Sequence, residues 1–233
     1  MSLVINPPQT LDDFPLMPQS RQKIKMILNG QITFPDQKKS ILLYGVYGTG
    51  KTTMAKLLPG WLETTKTTLG WQNHPVEKLI DSTNPHYGIH PCASGQNGVS
   101  LINRIQTQTS YMSFNTSNLH YVILDEFDLL TDLAIASFKA IMNREDVVYI
   151  LTTNHLNKVD RGVQDRSILI DMNAPPPSIW VAKLRKIYSD SGVIAPPDHA
   201  LEGIVSAGNG SARNILTDIQ IAEAGRLETL PNG

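Results

Sequence analysis

Cysteine is nearly absent from this chain: Cys92 stands alone among 233 residues. An internal disulfide is therefore excluded, and so is a thiolate metal site, which needs several sulfurs. The six histidines have no ligand-like spacing. Long apolar runs are missing as well. None approaches the roughly 18 residues of a membrane span. The opening MSLVINPPQT has neither the basic start nor the apolar stretch of a secretory signal. These absences point to a cytoplasmic chain with no membrane partner. Excess charge of one sign is also missing. The formal net charge is -1, so any contact with nucleic acid has to come from a local patch. What is present is a globular composition, 41% hydrophobic and 18% charged, in a length suited to one large core and a small appendage.

Residues 1–18 are proline-rich and read as an irregular N-terminal arm. A helix is expected from Ser20 to Asn29, with Ile24, Ile27 and Leu28 on one face. Short apolar runs then alternate with helical stretches. Ile41–Tyr44, Ile89–Ala93, Tyr121–Leu124, Val147–Leu151 and Ile168–Met172 read as strands. Lys51 to about Leu62, Val99–Ile105 and a stretch begun by Thr131 read as helices, and 107–118 as a loop. Thr64 to Asn84 is polar and carries no clear pattern. Apolar strands alternating with helices imply a parallel sheet covered on both faces. After the hinge Pro175-Pro176-Pro177, helices are expected near 178–190, 198–206 and 211–225, with no strand signal. The expected organisation is an arm at 1–18, an α/β core at 19–174 and a small all-helical lid at 175–233.

The run Gly45-Val46-Tyr47-Gly48-Thr49-Gly50-Lys51-Thr52 fits G-x-x-x-x-G-K-[ST], the pattern of a P-loop. Glycines let such a loop turn tightly and bring backbone N–H groups onto phosphate oxygens. The following helix offers its unpaired N–H groups to the same anion. Lys51 is expected at the β- and γ-phosphates of ATP and Thr52 on magnesium. Gly45, Gly48, Thr49, Gly50 and Thr53 complete the expected ATP-binding set. Asp125-Glu126 ends the apolar strand Tyr121–Leu124, and ligands of parallel sheets sit at the C-terminal ends of strands. Asp125 is thus a candidate magnesium ligand. Glu126 is a candidate for orienting or deprotonating the attacking water. Val147–Leu151 runs into Thr152-Thr153-Asn154, where Asn154 is the candidate sensor of the γ-phosphate.

In this order the pieces resemble the AAA+ P-loop ATPases, and among them the small motor subunits of sliding-clamp loaders. Thr10-Leu11-Asp12-Asp13-Phe14 is similar to an N-terminal signature of those subunits. Cys92-Ala93-Ser94 with Gly98-Val99 is similar to their second strand and turn, and Asp125-Glu126-Phe127-Asp128 with Leu130-Thr131 to their extended Walker B. Gln164-Asp165-Arg166-Ser167 is similar to the motif of their arginine finger, and Gly210-Ser211-Ala212-Arg213-Asn214 to their second sensor. The resemblance implies an AAA+ core with a helical lid. Arg166 would act in trans on a neighbour's ATP, Arg213 would contact ATP in its own subunit, and Leu16 would lie near the adenine.

Three departures accompany it. Asp165 and Ser167 flank Arg166 where the family has Ser and Cys, which makes Asp165 a candidate partner for Arg166. Cys92 replaces an Asn that restrains the catalytic Glu until DNA binds. The family's third, helical collar domain has no room in 233 residues, which implies a collar-less relative or a trimmed chain.

The function expected from this resemblance is an ATP-hydrolysing motor of DNA replication, most like a clamp-loader subunit. Other AAA+ subunits, a sliding clamp or helicase, and DNA would be its partners. Alternatives are another AAA+ machine on DNA (a helicase loader, or a remodeller for transposition or packaging) and a nucleotide-dependent binding switch with little turnover. Candidate DNA-facing charges are Arg104, Lys139, Arg144 and Lys158.

Overall fold

The computed structural model of the chain describes residues 3–69, 85–93 and 95–228. Ser94, most of the polar stretch Thr64 to Asn84, and both ends of the chain lie outside these. The chain divides into two compact units. One comprises Gln19–Gly45 and Lys51–Asp171; the other comprises Met1–Pro18, Val46–Gly50 and Met172–Gly233.

The larger unit is built on a five-stranded sheet. Its strands are β1 (Ser40–Tyr44), β2 (Tyr87–Pro91), β3 (His120–Asp125), β4 (Val147–Thr153) and β5 (Ser167–Asp171). They lie in the order β2-β3-β4-β1-β5, and every neighbouring pair is parallel. Helices α1 (Pro18–Leu28), α2 (Lys51–Leu69), α3 (Val99–Thr109), α4 (Asp132–Ile141) and the short α5 (Arg161–Asp165) connect them. Covered on both faces, the inner strands need continuous apolar sequence, and β4 is buried at every position. Phe127, Phe138 and Tyr149 stack edge-on in the core, with centroids 5.2 and 5.0 Å apart.

Two helices run past their expected ends. α2 continues to Leu69 through Pro59 and Gly60. Trp61 and Leu62 on its inner face are buried, and the buried Glu63 is caught by Ser117 and Tyr121. Packing here outweighs the helix-breaking residues. α3 continues to Thr109, whose hydroxyl donates to Ile105 O and whose carbonyl accepts from Arg144. β2 lies two residues earlier than expected. Among the described residues it is an edge strand paired to β3 alone, from Tyr87↔Tyr121 to Pro91↔Asp125. Its ladder is set by the backbone of β3, not by where its own apolar residues fall.

The smaller unit holds α6 (Pro177–Asp190), α7 (Asp198–Ala207) and α8 (Ala212–Glu228). Pro177 opens α6 at a position where a missing N–H costs nothing. Trp180, Leu184, Tyr188, Leu201, Ile215 and Ile219 form its core, and Leu3 of the N-terminal segment packs into it. That segment is further tied by Val4 N donating to Ser191 Oγ at 3.0 Å and by an ion pair of 3.0 Å between Lys183 and Asp13. Burial opposes ionisation of Asp13. The amides of Thr10 and Gln9 and the Lys183 ammonium outweigh it and hold the carboxyl well below the usual range.

Candidate functional site

Strand order decides which strand ends meet. β4 lies between β1 and β3, so Gly45, Asp125 and the Thr152-Thr153-Asn154 run emerge side by side at the carboxyl edge of the sheet. Gly45 N donates to Thr153 O at 3.3 Å. Lys51, at the start of α2, is buried, and its Nζ donates to Gly45 O at 2.9 Å. Burial pulls the ammonium down to about 8, against the opposing pull of Asp125, Asp128 and Glu126.

Thr52 and Asp125 are 73 positions apart, yet Thr52 Oγ1 donates to Asp125 Oδ1 at 2.8 Å. Thr152 Oγ1 donates to the same oxygen at 2.6 Å. Oδ2 receives no hydrogen bond among the described residues. The oxygens of Asp125 and Thr52 are hard donors of the kind magnesium takes when phosphate oxygens and water supply its remaining ligands. No group of three or more His, Cys, Asp or Glu among the described residues could hold a metal by itself.

Glu126 sits in the left-handed region, at φ 59 and ψ 49. A non-glycine residue there costs on the order of 1–2 kcal/mol. Its amide donates to Thr152 Oγ1 at 3.0 Å. Its side chain is exposed and makes no hydrogen bond among the described residues. Asn154, half-buried just past β4, likewise has a side chain free of hydrogen bonds among the described residues. The two threonines before it are engaged: Thr153 Oγ1 donates to Asp128 Oδ1 at 2.7 Å, and Thr152 joins Asp125 to the Glu126 amide. Residue type alone did not single out Thr152. A pair of hydroxyls closing the apolar run Val147–Leu151 was the available signal.

Cys92 N donates to Asp125 O at 2.8 Å, while its thiol contacts His90 O and not Glu126. Burial, with Asp125, Asp128 and Glu126 nearby, pushes the thiol up to about 12. Arg166 caps α5, half-buried, with Nη1 donating to Gly162 O at 2.9 Å. Asp165 does not pair with it. That carboxylate turns outward to Lys38, whose ammonium also binds Asp165 O. Of the candidate DNA-facing charges, Lys139 pairs with Asp160 at 3.1 Å and Arg144 is locked onto Asp146 and Thr109. Arg104 and Lys158 are exposed, as is Thr53.

In the smaller unit, Val46–Gly50 packs against residues that follow β5. Val46 N donates to Asn173 Oδ1 at 2.9 Å, and Arg213 N to Gly48 O at 3.2 Å. Gly48 has φ +76, and a Cβ there would collide with Ser211 Oγ; at Gly50, φ +89, a Cβ would press on the ring of Phe14 at 3.3 Å. Thr49 is buried, with its hydroxyl donating to Val46 O at 3.1 Å. Leu16 is buried. Arg213 stands in the first turn of α8.

Several solved structures share this architecture. A single-residue variant of Thermotoga maritima RuvB superposes with a TM-score of 0.63 at 14% identity, over 91% of this chain and 63% of that one. The structure described as the Thermotoga maritima RuvB Holliday junction branch migration motor gives 0.59 at 14%, over 91% and 63%. A DNA polymerase III gamma subunit-related protein from the same organism gives 0.50 at 17%, over 72% and 51%. This is an AAA+ fold. The AAA+ α/β core is the five-stranded parallel sheet with its helices, and the helical region after it is α6 to α8. The chain spans about 63% of the length of the RuvB chains it matches. No protein-family model and no curated protein matches the sequence. No helix among the described residues is long and apolar enough to cross a membrane.

Proposed function

We propose that this chain binds ATP with magnesium and hydrolyses it as an AAA+ motor acting on DNA, most like a clamp-loader ATPase subunit. The hydrogen bond between Thr52 and Asp125 carries the reading. It joins the end of the P-loop to a strand-end carboxylate, which is the donor set that a nucleotide–magnesium complex requires. Lys51 supplies the cation for the β- and γ-phosphates, and the backbone of Gly45 to Thr53 supplies N–H donors. Thr52 and Asp125 would hold magnesium, which when bound neutralises charge on the phosphates.

The exposed Glu126 carboxylate takes the proton of the attacking water, and the Asn154 amide orients that water. Arg166 serves as the finger for a neighbouring subunit's ATP, worth roughly 10³–10⁵ in rate where such fingers operate. Its guanidinium is not consumed by Asp165, which favours this role. Arg213 acts as the lid's sensor of nucleotide, and Leu16 lies toward the base. Partners are other AAA+ subunits, a sliding clamp or helicase, and DNA.

A second reading, an AAA+ motor that moves or remodels DNA in another way, is favoured by the superposition on the RuvB motor over 91% of this chain. Calorimetry with ATP and magnesium tests the shared core of both readings. Binding by the unsubstituted chain and its loss in Lys51→Ala are expected. Full affinity in Lys51→Ala would refute the site.

A further inference from the structure

We propose that Thr152 is a positioning residue of this nucleotide site: its hydroxyl orients the Asp125 carboxylate and holds the backbone of Glu126. The inference rests on the ATP–magnesium reading and adds to it the means by which both acidic residues are aimed.

A threonine hydroxyl has one proton to donate and lone pairs to accept with. Thr152 uses both functions. It accepts from the Glu126 amide at 3.0 Å and donates to Asp125 Oδ1 at 2.6 Å. The side chain that does this cannot wander. Thr152 is 2% exposed, lies in the fully buried β4, and has the stiff χ1 of a β-branched residue.

Two consequences follow from the direction of these bonds. First, both hydroxyls, from Thr52 and Thr152, converge on Oδ1. The carboxylate is thereby fixed in one orientation, with Oδ2 left for water or metal. Second, the amide of a residue in left-handed backbone is given a partner, which offsets the strain at Glu126 and fixes the direction in which its side chain leaves the strand end. Thr153, one position on, faces Asp128 instead, so the two threonines have separate tasks. A buried strand residue with no structural need for a hydroxyl would be valine or isoleucine.

The test compares Thr152→Val, which keeps shape and β-branching, with Thr152→Ser, which keeps the hydroxyl. ATP affinity is measured for each chain in excess magnesium and in EDTA, and the ratio is the gain from the metal. Partners of a metal ligand typically contribute roughly 10–100-fold in metal affinity. Thr152→Val is therefore expected to cut the magnesium gain by about tenfold or more while leaving affinity in EDTA unchanged, with Thr152→Ser restoring most of the gain. Where hydrolysis is measured, kcat falls more than KM rises. Thr152→Ala reads the same ratio should the valine chain not fold. A hydroxyl-free variant with the full magnesium gain would overturn the proposal. So would an equal loss with and without magnesium, or a serine variant as impaired as valine. An unsubstituted chain that gains nothing from magnesium would instead overturn the ATP–magnesium reading, and this inference with it.

Discussion

Lys51 should make nucleotide affinity depend on pH in a range where lysines ordinarily have no effect. The residue is 7% exposed, its ammonium is bonded to Gly45 O, and burial lowers the ammonium from an ordinary value near 10.5 to about 8. In the unfolded chain the lysine keeps its proton up to the ordinary value. Between pH 8 and 10.5 the folded chain therefore holds fewer protons, and this group's contribution to stability rises with pH. Phosphate binding works the other way, because it needs the charged form. From pH 7 to pH 9 the charged fraction falls from about nine-tenths to about one-tenth, so ATP affinity should weaken roughly tenfold, or about 1.4 kcal/mol. The terminal phosphate of ATP is already ionised above its second pKa of about 6 and adds nothing to the slope.

The assay is calorimetry at pH 7, 8 and 9, with magnesium fixed and two buffers of different ionisation enthalpy. Binding at pH 8 should take up about half a proton, because the phosphates raise the lysine's pKa in the complex. Lys51→Arg is the control: a guanidinium stays charged throughout, so whatever affinity it retains should be flat. Equal affinity of the unsubstituted chain at pH 7 and pH 9, without proton uptake, would refute the depressed ammonium or its contact with phosphate.

Glu126→Gln should bind ATP with near-native affinity but hydrolyse it roughly 10²–10⁴-fold more slowly, the usual worth of a positioned base; single-turnover kinetics checks this, and native turnover would remove Glu126 from the chemistry. Arg166→Ala should leave ATP affinity of the isolated chain unchanged and lower turnover only in an assembly. Mixing it with Lys51→Ala should recover part of the activity, and no recovery in an assembly shown to exchange subunits would make Arg166 a surface charge. Tyr121→Phe tests the buried cluster at the other end of β3, where the Tyr121 hydroxyl donates to Glu63 at 2.8 Å. Glu63 would lose that bond and keep those from Ser117 N and Oγ. Stability should fall by about 2 kcal/mol, read as a lower urea midpoint at unchanged slope.

The sequence by itself determined the kinds of elements and the local patterns. Apolar runs of strand length, helical periodicity and the glycine-rich loop are properties of neighbouring residues, and they sufficed for a parallel sheet with helices and a following helical region. The Asp125-Glu126 pair was legible for the same reason: it interrupts an apolar strand. Tertiary structure decided everything that depends on which strands lie adjacent. Thr52 meets Asp125 because β4 separates β1 and β3 by one strand, and Thr152 joins them because β4 is that strand. Asp165 pairs with Lys38 rather than the adjoining Arg166 because the backbone turns at the end of α5. The N-terminal segment, which has no periodicity to read, is organised by contacts as distant as Val4 with Ser191. A hydrogen bond across such separations has no local signature, since each partner alone is an ordinary polar residue. Only the closed packing of the chain gives it a direction and a distance.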